Sequence, residues 1–299
     1  MIRFWLYYLA TILTPLVPER MGYWLAERAG DLIYLLGHQA RDRYLNNLTH
    51  VLGNGASADR RNQITRRAFR NLLKNYYDLF RMHRLTDVQL RSQLADVQGL
   101  EYLEEAMRQG RGILLGSFHS GNFNLIMLLT GLYLKDHRPV MVPVQRLSPD
   151  GLFELVRKQR ASQGVLIVPS EDSARPIVRH LAGGNLVGLA FDLDVTHTGP
   201  FVDFFGCPAQ LPDGAITLAL RYDIPLILGY SRRLDDNRCA VRVCPPLVLA
   251  RTGDRHHDTL AGMKQVVRQM EEWIRQCPEQ WIMFEEVWKT DRPSSPVEA

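Results

Sequence analysis

Short apolar runs alternate with helix-like stretches through the last two thirds of the chain. The apolar run 112–115 has strand length, and the apolar stretch 125–134 continues for about three helical turns. Further candidate strands lie at 139–144, 165–168, 186–191, 225–230 and 240–243, with candidate helices near 151–162, 174–183 and 214–222. Strands separated by helices are typical of sheets whose strands run parallel. The pattern therefore predicts an α/β fold with a mostly parallel central sheet flanked by helices.

The first third of the chain has helical rather than strand-like periodicity. Residues 64–83 carry apolar side chains at helical spacing, and Arg66, Arg70 and Lys74 share a second face at intervals of four. A basic face of this kind is usually solvated. Beside a membrane it is also expected to meet lipid phosphates.

The chain has no internal repeat and no long linker, so the patterns indicate one α/β domain with an N-terminal extension. We expect a helical, basic, membrane-associating extension over residues 1–98 and the α/β domain over residues 99–291. The segment 292–299, which contains two prolines and two serines, is expected to be a disordered tail.

Residues 4–18 form an uncharged segment with four aromatic residues crowded at its beginning. At about 1.5 Å per residue the segment is too short to cross a hydrocarbon core of about 30 Å, and Pro15 interrupts it. Aromatic residues at one end with charged flanks are typical of a segment lying in the lipid headgroup zone. A buried core helix would show the same apolar pattern, and the sequence leaves that alternative open.

Positive charge is concentrated at the front of the chain. The whole sequence has 36 Lys or Arg and 32 Asp or Glu, a net charge of +4, whereas residues 1–98 have 14 and 8. The front third therefore carries +6 and the remainder −2. A basic region of this kind suits nucleic acid, anionic lipid or an acidic protein. The adjoining apolar segment favours a lipid surface, and no nucleic-acid partner is expected.

The four cysteines, Cys207, Cys239, Cys244 and Cys277, have neither CxxC spacing nor a surrounding His/Cys cluster. No cleavable secretory signal opens the sequence. We therefore expect reduced thiols, no metal site, and a peripheral protein on the cytoplasmic face of the cell membrane.

His119 lies at the corner between the run 112–115 and the stretch 125–134, beside the small residues Ser120 and Gly121. Open α/β sheets place their chemistry at the carboxyl ends of strands, and the start of a helix leaves backbone N–H groups free. We interpret His119 as a candidate general base. A single histidine beside an apolar run is more often structural, so this interpretation needs support from elsewhere in the chain.

A second polar cluster follows the candidate strand 186–191. Asp192 and Asp194 lie at the carboxyl end of that strand, and an aromatic-rich loop comes next. An Asp-x-Asp pair alone would also suit Mg²⁺, because hard cations bind carboxylate oxygens. That alternative stays open at this point, although no metal is expected.

Several motifs along the chain share a resemblance to one family. They are His119-Ser120-Gly121-Asn122-Phe123-Asn124, Asp192-Leu193-Asp194, Phe204-Phe205-Gly206-Cys207-Pro208-Ala209, Pro212-Asp213-Gly214-Ala215, Pro278-Glu279-Gln280-Trp281 and Trp288-Lys289. These motifs resemble those of the late acyltransferases of lipid A biosynthesis, of lauroyl or myristoyl type, and of the related phosphatidylinositol mannoside acyltransferases. The resemblance extends over almost the whole chain, and the aromatic loop together with the Gln-Trp ending is its specific part.

The resemblance implies a glycerolipid-acyltransferase-like fold and an enzyme associated with the inner membrane. Such an enzyme would transfer a fatty acyl group from an acyl thioester, on acyl carrier protein or CoA, to a hydroxyl of a glycolipid or lipid acceptor, without a further cofactor. His119 would take the acceptor's proton. Backbone N–H groups near Asn122 and the side chain of Arg146 would hold the oxyanion, and the Phe204-Phe205-Gly206 loop would line the substrate site.

One position departs from the family pattern. The pattern expects a histidine, four residues and then an acid, but Asn124 stands at the acid's position. An asparagine can orient an imidazole, yet it offers no charge to the imidazolium that forms. Three interpretations stay open: Asp192 or Asp194 supplies the missing carboxylate, the enzyme is slow, or the protein binds a lipid without acylating it. A hydrolase that passes the acyl group to water is a further alternative.

Overall fold

The computed structural model of the chain describes residues 2–53, 55–134, 138–146, 149–161 and 164–288. Its helices are α1 (Ile2–Leu13), α2 (Glu19–Leu36), α3 (His38–Leu52), α4 (Ala58–Arg81), α5 (Asp87–Ser92), α6 (Leu100–Arg108), α7 (Phe123–Leu134), α8 (Asp150–Ala161), α9 (Ala174–Ala182), α10 (Gly214–Tyr222) and α11 (Arg255–Gln276). Its strands are β1 (Leu94–Gln98), β2 (Ile113–Ser117), β3 (Val140–Val144), β4 (Val165–Pro169), β5 (Leu186–Ala190), β6 (Phe201–Phe204), β7 (Cys207–Gln210), β8 (Leu226–Arg233) and β9 (Cys239–Pro246).

Within the described ranges, seven strands form one sheet in the order β1-β9-β8-β2-β5-β3-β4. The five neighbouring strands from β8 to β4 pair in parallel, and β9 runs antiparallel to β8. The predicted α/β fold with a mostly parallel sheet is therefore confirmed. The apolar runs identified the buried strands because a parallel strand covered on both faces needs apolar residues at successive positions.

Both faces of the sheet are covered by helices. Leu114 of β2 packs on one side in a cluster that includes Met263 of α11. Ile113, the preceding residue of β2, packs on the other side with Leu103 of α6 and Leu134 of α7. Alternate residues of one strand thus serve two cores, and burying each such side chain contributes about 1.5–3 kcal/mol.

Two strand regions differ from the sequence prediction. β1, which lies inside the predicted extension 1–98, pairs in parallel with β9 at the edge of the sheet. The segment after Asp194 forms the β6–β7 hairpin rather than an irregular loop. The boundary at residue 98 stays a prediction, and the predicted tail 292–299 lies outside the described residues.

The basic face of α4 is paired with α2. Arg66 and Arg70 both donate to Asp31, with distances of 2.7 and 2.6 Å from each Nε to Oδ1, and Lys74 Nζ lies 2.7 Å from Glu27 Oε1. Hydrogen bonds from Arg70 and Arg66 hold the pKa of Asp31 well below its usual range. The charges of this face are thus engaged with a neighbouring helix, while about half of the Arg66 side chain is exposed. The contact of this face with lipid phosphates stays a prediction.

The first two helices and the turn between them expose several large apolar side chains. Trp5 of α1, Leu16 in the following turn, and Trp24, Leu32 and Leu36 of α2 are each more than half exposed. None of the helices in the described ranges has both the length and the apolarity that crossing a bilayer requires.

Candidate active site

The pairing of β2 with β5 brings His119 and Asp192 together. The two strands are in register from Ile113 opposite Leu186 to Ser117 opposite Ala190. His119 and Asp192 each lie two residues beyond the last pair, so the same register sets them side by side. Their side chains meet at the carboxyl edge of the sheet, where open α/β folds bind ligands.

Asp192 accepts three hydrogen bonds, and two of them come from His119. The His119 backbone N–H donates to Oδ2 and its Nδ1 lies 2.8 Å from Oδ1, while Trp281 Nε1 donates to Oδ2 at 3.0 Å. The Asp192 side chain is fully buried, whereas the His119 side chain is 29% exposed. Because a carboxylate only accepts, Nδ1 carries the imidazole proton and the unprotonated Nε2 is free to accept one.

The two members of the pair shift each other's pKa. Burial alone would lower the pKa of His119, but the charge of Asp192 and its hydrogen bond outweigh burial and raise that pKa above the ordinary value. Burial likewise opposes ionisation of Asp192, yet His119 and the N–H donors around the carboxylate hold its pKa below the usual value. The pair therefore favours an ionised Asp192 that stabilises a protonated His119.

The loop that carries His119 is held by a segment near the end of the chain. Ser120 and Trp281 form an antiparallel bridge, in which the Ile282 N–H donates to the His119 carbonyl and the Gly121 N–H donates to the Gln280 carbonyl. Gly121 has φ of +54°, and a Cβ there would lie 2.5 Å from the Ser231 carbonyl oxygen. Only glycine combines this backbone conformation with so close an approach.

Asn122 serves the interior of the protein. It is fully buried, its Oδ1 accepts from the Leu125 N–H at the start of α7, and its Nδ2 donates to Asp78 at 2.8 Å. Asn75 of α4 supports the same turn by donating to the Gly121 carbonyl at 2.6 Å. The Asn122 side chain therefore caps α7 and positions the loop. Contact between substrate and the backbone N–H groups nearby stays a prediction.

Sequence reasoning missed the buried ionic network beneath this loop. Asp78 of α4 accepts from Tyr23 and Arg81 on one oxygen, and from Asn122 and Arg233 on the other. A buried carboxylate is tolerated only when its lone pairs are satisfied in this way. The partners lie between 3 and 155 positions away along the chain. No local spacing rule could have grouped them.

Asn124, at the expected position of the family acid, does not contact His119. It is buried, and its Oδ1 accepts a hydrogen bond of 2.6 Å from Nη2 of Arg160 on α8. Asn124 is the second residue of α7, and its side chain is turned toward α8, whereas His119 lies before the turn that leads into α7. The carboxylate beside His119 is supplied by Asp192 instead.

Asp194 organises the loop that follows β5. Its Oδ1 accepts from the hydroxyl and N–H of Thr196 and from the His197 N–H, and its Oδ2 accepts from the Gly199 N–H at 2.7 Å. Burial opposes the charge of Asp194, but these donors hold its pKa below the usual value. Of the two aspartates, only Asp192 touches the histidine.

The Phe204-Phe205-Gly206 motif forms the tight turn of the β6–β7 hairpin. Phe205 and Gly206 both have positive φ, at 54° and 76°, as a two-residue hairpin turn requires. Phe204 is fully buried, stacks on Trp288 and meets the ring of Trp281 edge-on at 6.0 Å. Phe204 therefore packs behind the tryptophan that donates to Asp192. Phe205 and Gly206 form the tip of the turn, with Arg275 over the Phe205 ring, and the contact of this motif with substrate stays a prediction.

Arg146 lies just beyond β3 on the same edge of the sheet. Its side chain is about half exposed, with Nη1 3.6 Å from Asp150 and the guanidinium over the ring of Phe153. The predicted contact of Arg146 with an oxyanion stays a prediction. Lys289, the last residue of the quoted motifs, lies outside the described residues.

In the described part of the chain, no group of three or more His, Cys, Asp or Glu side chains is arranged to hold a metal ion. Asp192 and Asp194 direct their oxygens to N–H and O–H donors. The four cysteines have free thiols.

Comparisons with known proteins identify the family to which the chain belongs. Residues 1–290 match the family model described as bacterial lipid A biosynthesis acyltransferase. A phosphatidylinositol mannoside acyltransferase of Mycobacterium tuberculosis (strain CDC 1551 / Oshkosh) is 28% identical over 200 residues, or 65% of this chain and 62% of that protein. Another, of Mycolicibacterium smegmatis, is 26% identical over 250 residues, or 82% of this chain and 78% of that protein. The match thus spans less than two thirds of the M. tuberculosis relative.

Proposed function

Since this chain belongs to the bacterial lipid A biosynthesis acyltransferase family, we propose that it moves a fatty acyl group from a thioester to a hydroxyl of a glycolipid or lipid acceptor. The donor is an acyl carrier protein or CoA thioester. The observation that carries the proposal is the contact between His119 and the buried Asp192, because it supplies a base where a hydroxyl must lose its proton.

In the proposed reaction, Nε2 of His119 takes the proton of the acceptor hydroxyl while that oxygen attacks the thioester carbonyl. Asp192 holds the opposite ring nitrogen and stabilises the imidazolium that forms. The tetrahedral intermediate collapses to the ester, the C–S bond breaks, and the proton passes from His119 to the departing thiolate. No covalent acyl-enzyme is required.

The oxyanion of the tetrahedral intermediate needs donors that are already in place. The first N–H groups of α7 follow directly after the His119 turn, and Asn122 fixes where that helix begins. We assign the oxyanion to these N–H groups, with Arg146 as a mobile second donor at the same edge.

The names of the relatives suggest the first acceptor to try. A phosphatidylinositol mannoside combines sugar hydroxyls with a lipid anchor, and a lipid A precursor does the same. We propose an acceptor of this glycolipid class.

The apolar surface formed by Trp5, Leu16, Trp24, Leu32 and Leu36 supports peripheral attachment to the membrane. Aromatic and aliphatic side chains exposed to this degree are typical of an interaction surface. We propose that the protein docks on the cytoplasmic face of the inner membrane through these helices, so that lipid acceptors reach the sheet edge without leaving the bilayer.

The test is transfer of a labelled palmitoyl group from palmitoyl-CoA, or from palmitoyl acyl carrier protein, to a phosphatidylinositol mannoside or a lipid A precursor. Changing His119 to Ala should lower kcat by about 10²–10⁴, whereas His256→Ala, at an exposed histidine on α11, should leave kcat unchanged. Release of free palmitate without acceptor would favour a hydrolase. Binding of the lipid with no turnover on any thioester would favour a lipid-binding protein and contradict the proposal.

A further inference from the structure

Arg160 carries a buried positive charge that no carboxylate of the described residues balances. The residue is 9% exposed, and its Nη2 donates to Asn124 Oδ1 at 2.6 Å. Among the described residues, its Nε has no hydrogen-bond partner and no carboxylate lies within 4.0 Å of the guanidinium. A buried charge without a counterion is costly, so the described residues leave this site without the negative charge that would balance Arg160.

Two side chains near Arg160 offer further hydrogen-bond donors. Helix α1 packs against α8. The hydroxyl of Tyr7 on α1 is buried and has no hydrogen-bond partner among the described residues. Burial raises the pKa of Tyr7 to about 12 although Arg160 opposes that change, so the hydroxyl keeps its proton at neutral pH. Because Arg160 donates to the Asn124 oxygen, the group that Asn124 can still offer to a ligand is its amide N–H₂.

The start of α7 adds to the positive potential near Arg160. The helix begins at Phe123 and has no acidic residue in its first turn, so its partial positive charge is not offset by its own side chains. Helix starts of this kind bind anions when a second positive group faces them. Arg160 is that second group, since it donates to Asn124 in the same first turn.

The first turn of α7 also contacts the candidate base. The ring of Phe123 meets the His119 ring edge-on, with centroids 4.8 Å apart, and Asn124 is the next residue. An anion held here would belong to a molecule that also reaches His119. Phosphate suits the donor set because a guanidinium and several N–H groups bind its oxygens together.

We propose that the side chains of Arg160, Tyr7 and Asn124, beside the positive start of α7, form a subsite for a phosphate group of a substrate of the reaction. The inference rests on the proposed acyl transfer. The phosphate comes either from the phosphopantetheine arm of the thioester donor or from the headgroup of a phospholipid acceptor. In this interpretation asparagine at position 124 is a specificity element, because an aspartate there would neutralise Arg160 internally and repel the phosphate.

The first experiment measures binding without turnover. Inorganic phosphate is titrated at constant ionic strength while the thermal unfolding of the full-length protein is followed. At tenfold the Kd, phosphate should raise Tm of the parent by about 2–4 °C. Arg160→Gln and Asn124→Asp should lose that rise. Arg157→Gln, an exposed arginine of α8 paired with Glu154, should keep it. An equal Tm rise in all four proteins, or none in the parent, overturns the subsite.

The second experiment identifies the source of the phosphate. Two donors are compared, palmitoyl-4′-phosphopantetheine and palmitoyl-pantetheine, which lacks only the phosphate. Two acceptors are also compared, phosphatidylinositol, which has a phosphate, and octyl glucoside, which has none. Removing the phosphate that occupies the subsite should lower kcat/KM of the parent about 10- to 100-fold, as expected for a lost charge-assisted contact, and should change Arg160→Gln little. If removing the phosphate lowers kcat/KM of Arg160→Gln as much as that of the parent for both pairs of substrates, the proposal is contradicted.

The two experiments separate the two levels of inference. If the parent transfers no acyl group but phosphate stabilises it through Arg160, the proposed function fails and the anion site stands. Should Arg160→Gln not fold, Asn124→Asp decides the question, since it keeps both the arginine and a side chain of the same size.

Discussion

Replacing Asp192 by Asn would test the proposed base in its most direct form. The substitution keeps the size of a fully buried side chain and removes its charge. Oδ2 of the carboxylate accepts from the His119 N–H and from Trp281, and Oδ1 faces Nδ1. The amide oxygen should take the position with two donors, and the amide N–H₂ would then face the imidazole. His119 would be driven to the tautomer protonated on Nε2, which cannot accept a proton from the acceptor hydroxyl.

The expected loss follows from that change of tautomer. The same substitution in the serine-protease template lowers kcat by about 10⁴, and we expect a loss of this order. One charge-assisted hydrogen bond also disappears from the folded protein, which should cost about 1.5–3 kcal/mol of unfolding free energy. The KM for either substrate should change little, because the contact matters mainly in the transition state.

The pH dependence gives an independent check. A general base must be unprotonated, so kcat/KM of the parent should fall with decreasing pH through the raised pKa of His119, above its ordinary 6.5. In Asp192→Asn, burial is the main remaining influence on the pKa of His119. The pH at which any residual kcat/KM falls on the acid side should therefore move below 6.5. For stability, His119 contributes fully below 6.5 and loses its contribution as pH rises through its folded pKa. Asp192 contributes fully above 3.8 and loses its contribution as pH falls through its lowered pKa.

The pair should therefore stabilise the protein most between about pH 4 and 6.5. Thermal unfolding of the parent and of Asp192→Asn should show a larger difference in Tm at pH 5.5 than at pH 8.5, while palmitoyl transfer is followed over the same range. Activity within threefold of the parent, or an acid limb that does not move, would refute the assignment of Asp192 as the partner of the base.

Two further substitutions test the support of the site and the membrane surface. Gly121→Ala should destabilise the protein by about 2 kcal/mol or more, because the new Cβ meets the Ser231 carbonyl in addition to the unfavourable positive φ. Gly110→Ala shares a positive φ but has open space around its Cβ, so chemical denaturation should show a smaller loss for it, and equal losses would remove the steric argument. Trp24→Glu should lower sedimentation with phosphatidylglycerol vesicles about tenfold or more, since the charged side chain cannot enter the interface. The control Val248→Glu, at an apolar residue that is even more exposed, should have no effect, and unchanged binding of Trp24→Glu would exclude this surface.

The strands that build the site were predictable from the sequence because their burial leaves a local trace. The runs at 112–115 and 186–191 are apolar at successive positions, and they become the adjacent strands β2 and β5. The placement of His119 and Asp192 at one edge then follows from the parallel arrangement. The β6–β7 hairpin left no such trace, since its turn contains Phe205 where hairpin turns usually have Asn or Asp.

Contacts between distant segments were not predictable. The basic face of α4 looks solvated in the sequence, and only the fold brings Asp31 and Glu27 of α2 against it. The role of Asn124 was foreseen only as a missing charge near His119. Its partner Arg160 lies 36 positions away on α8, at a spacing that no helix or strand period connects.

The bridge between the His119 loop and Trp281 has a consequence for the newly made protein. About 160 residues separate the two segments, and at a synthesis rate of 5–20 residues per second the ribosome needs roughly 8 to 30 s to supply the second after the first. Throughout that interval, the histidine lacks both the strand that fixes its backbone and the tryptophan that donates to its carboxylate. An emerging N-terminal region that has already met the membrane would therefore be inert toward thioesters, and catalysis would begin only once the last part of the chain has closed over the site.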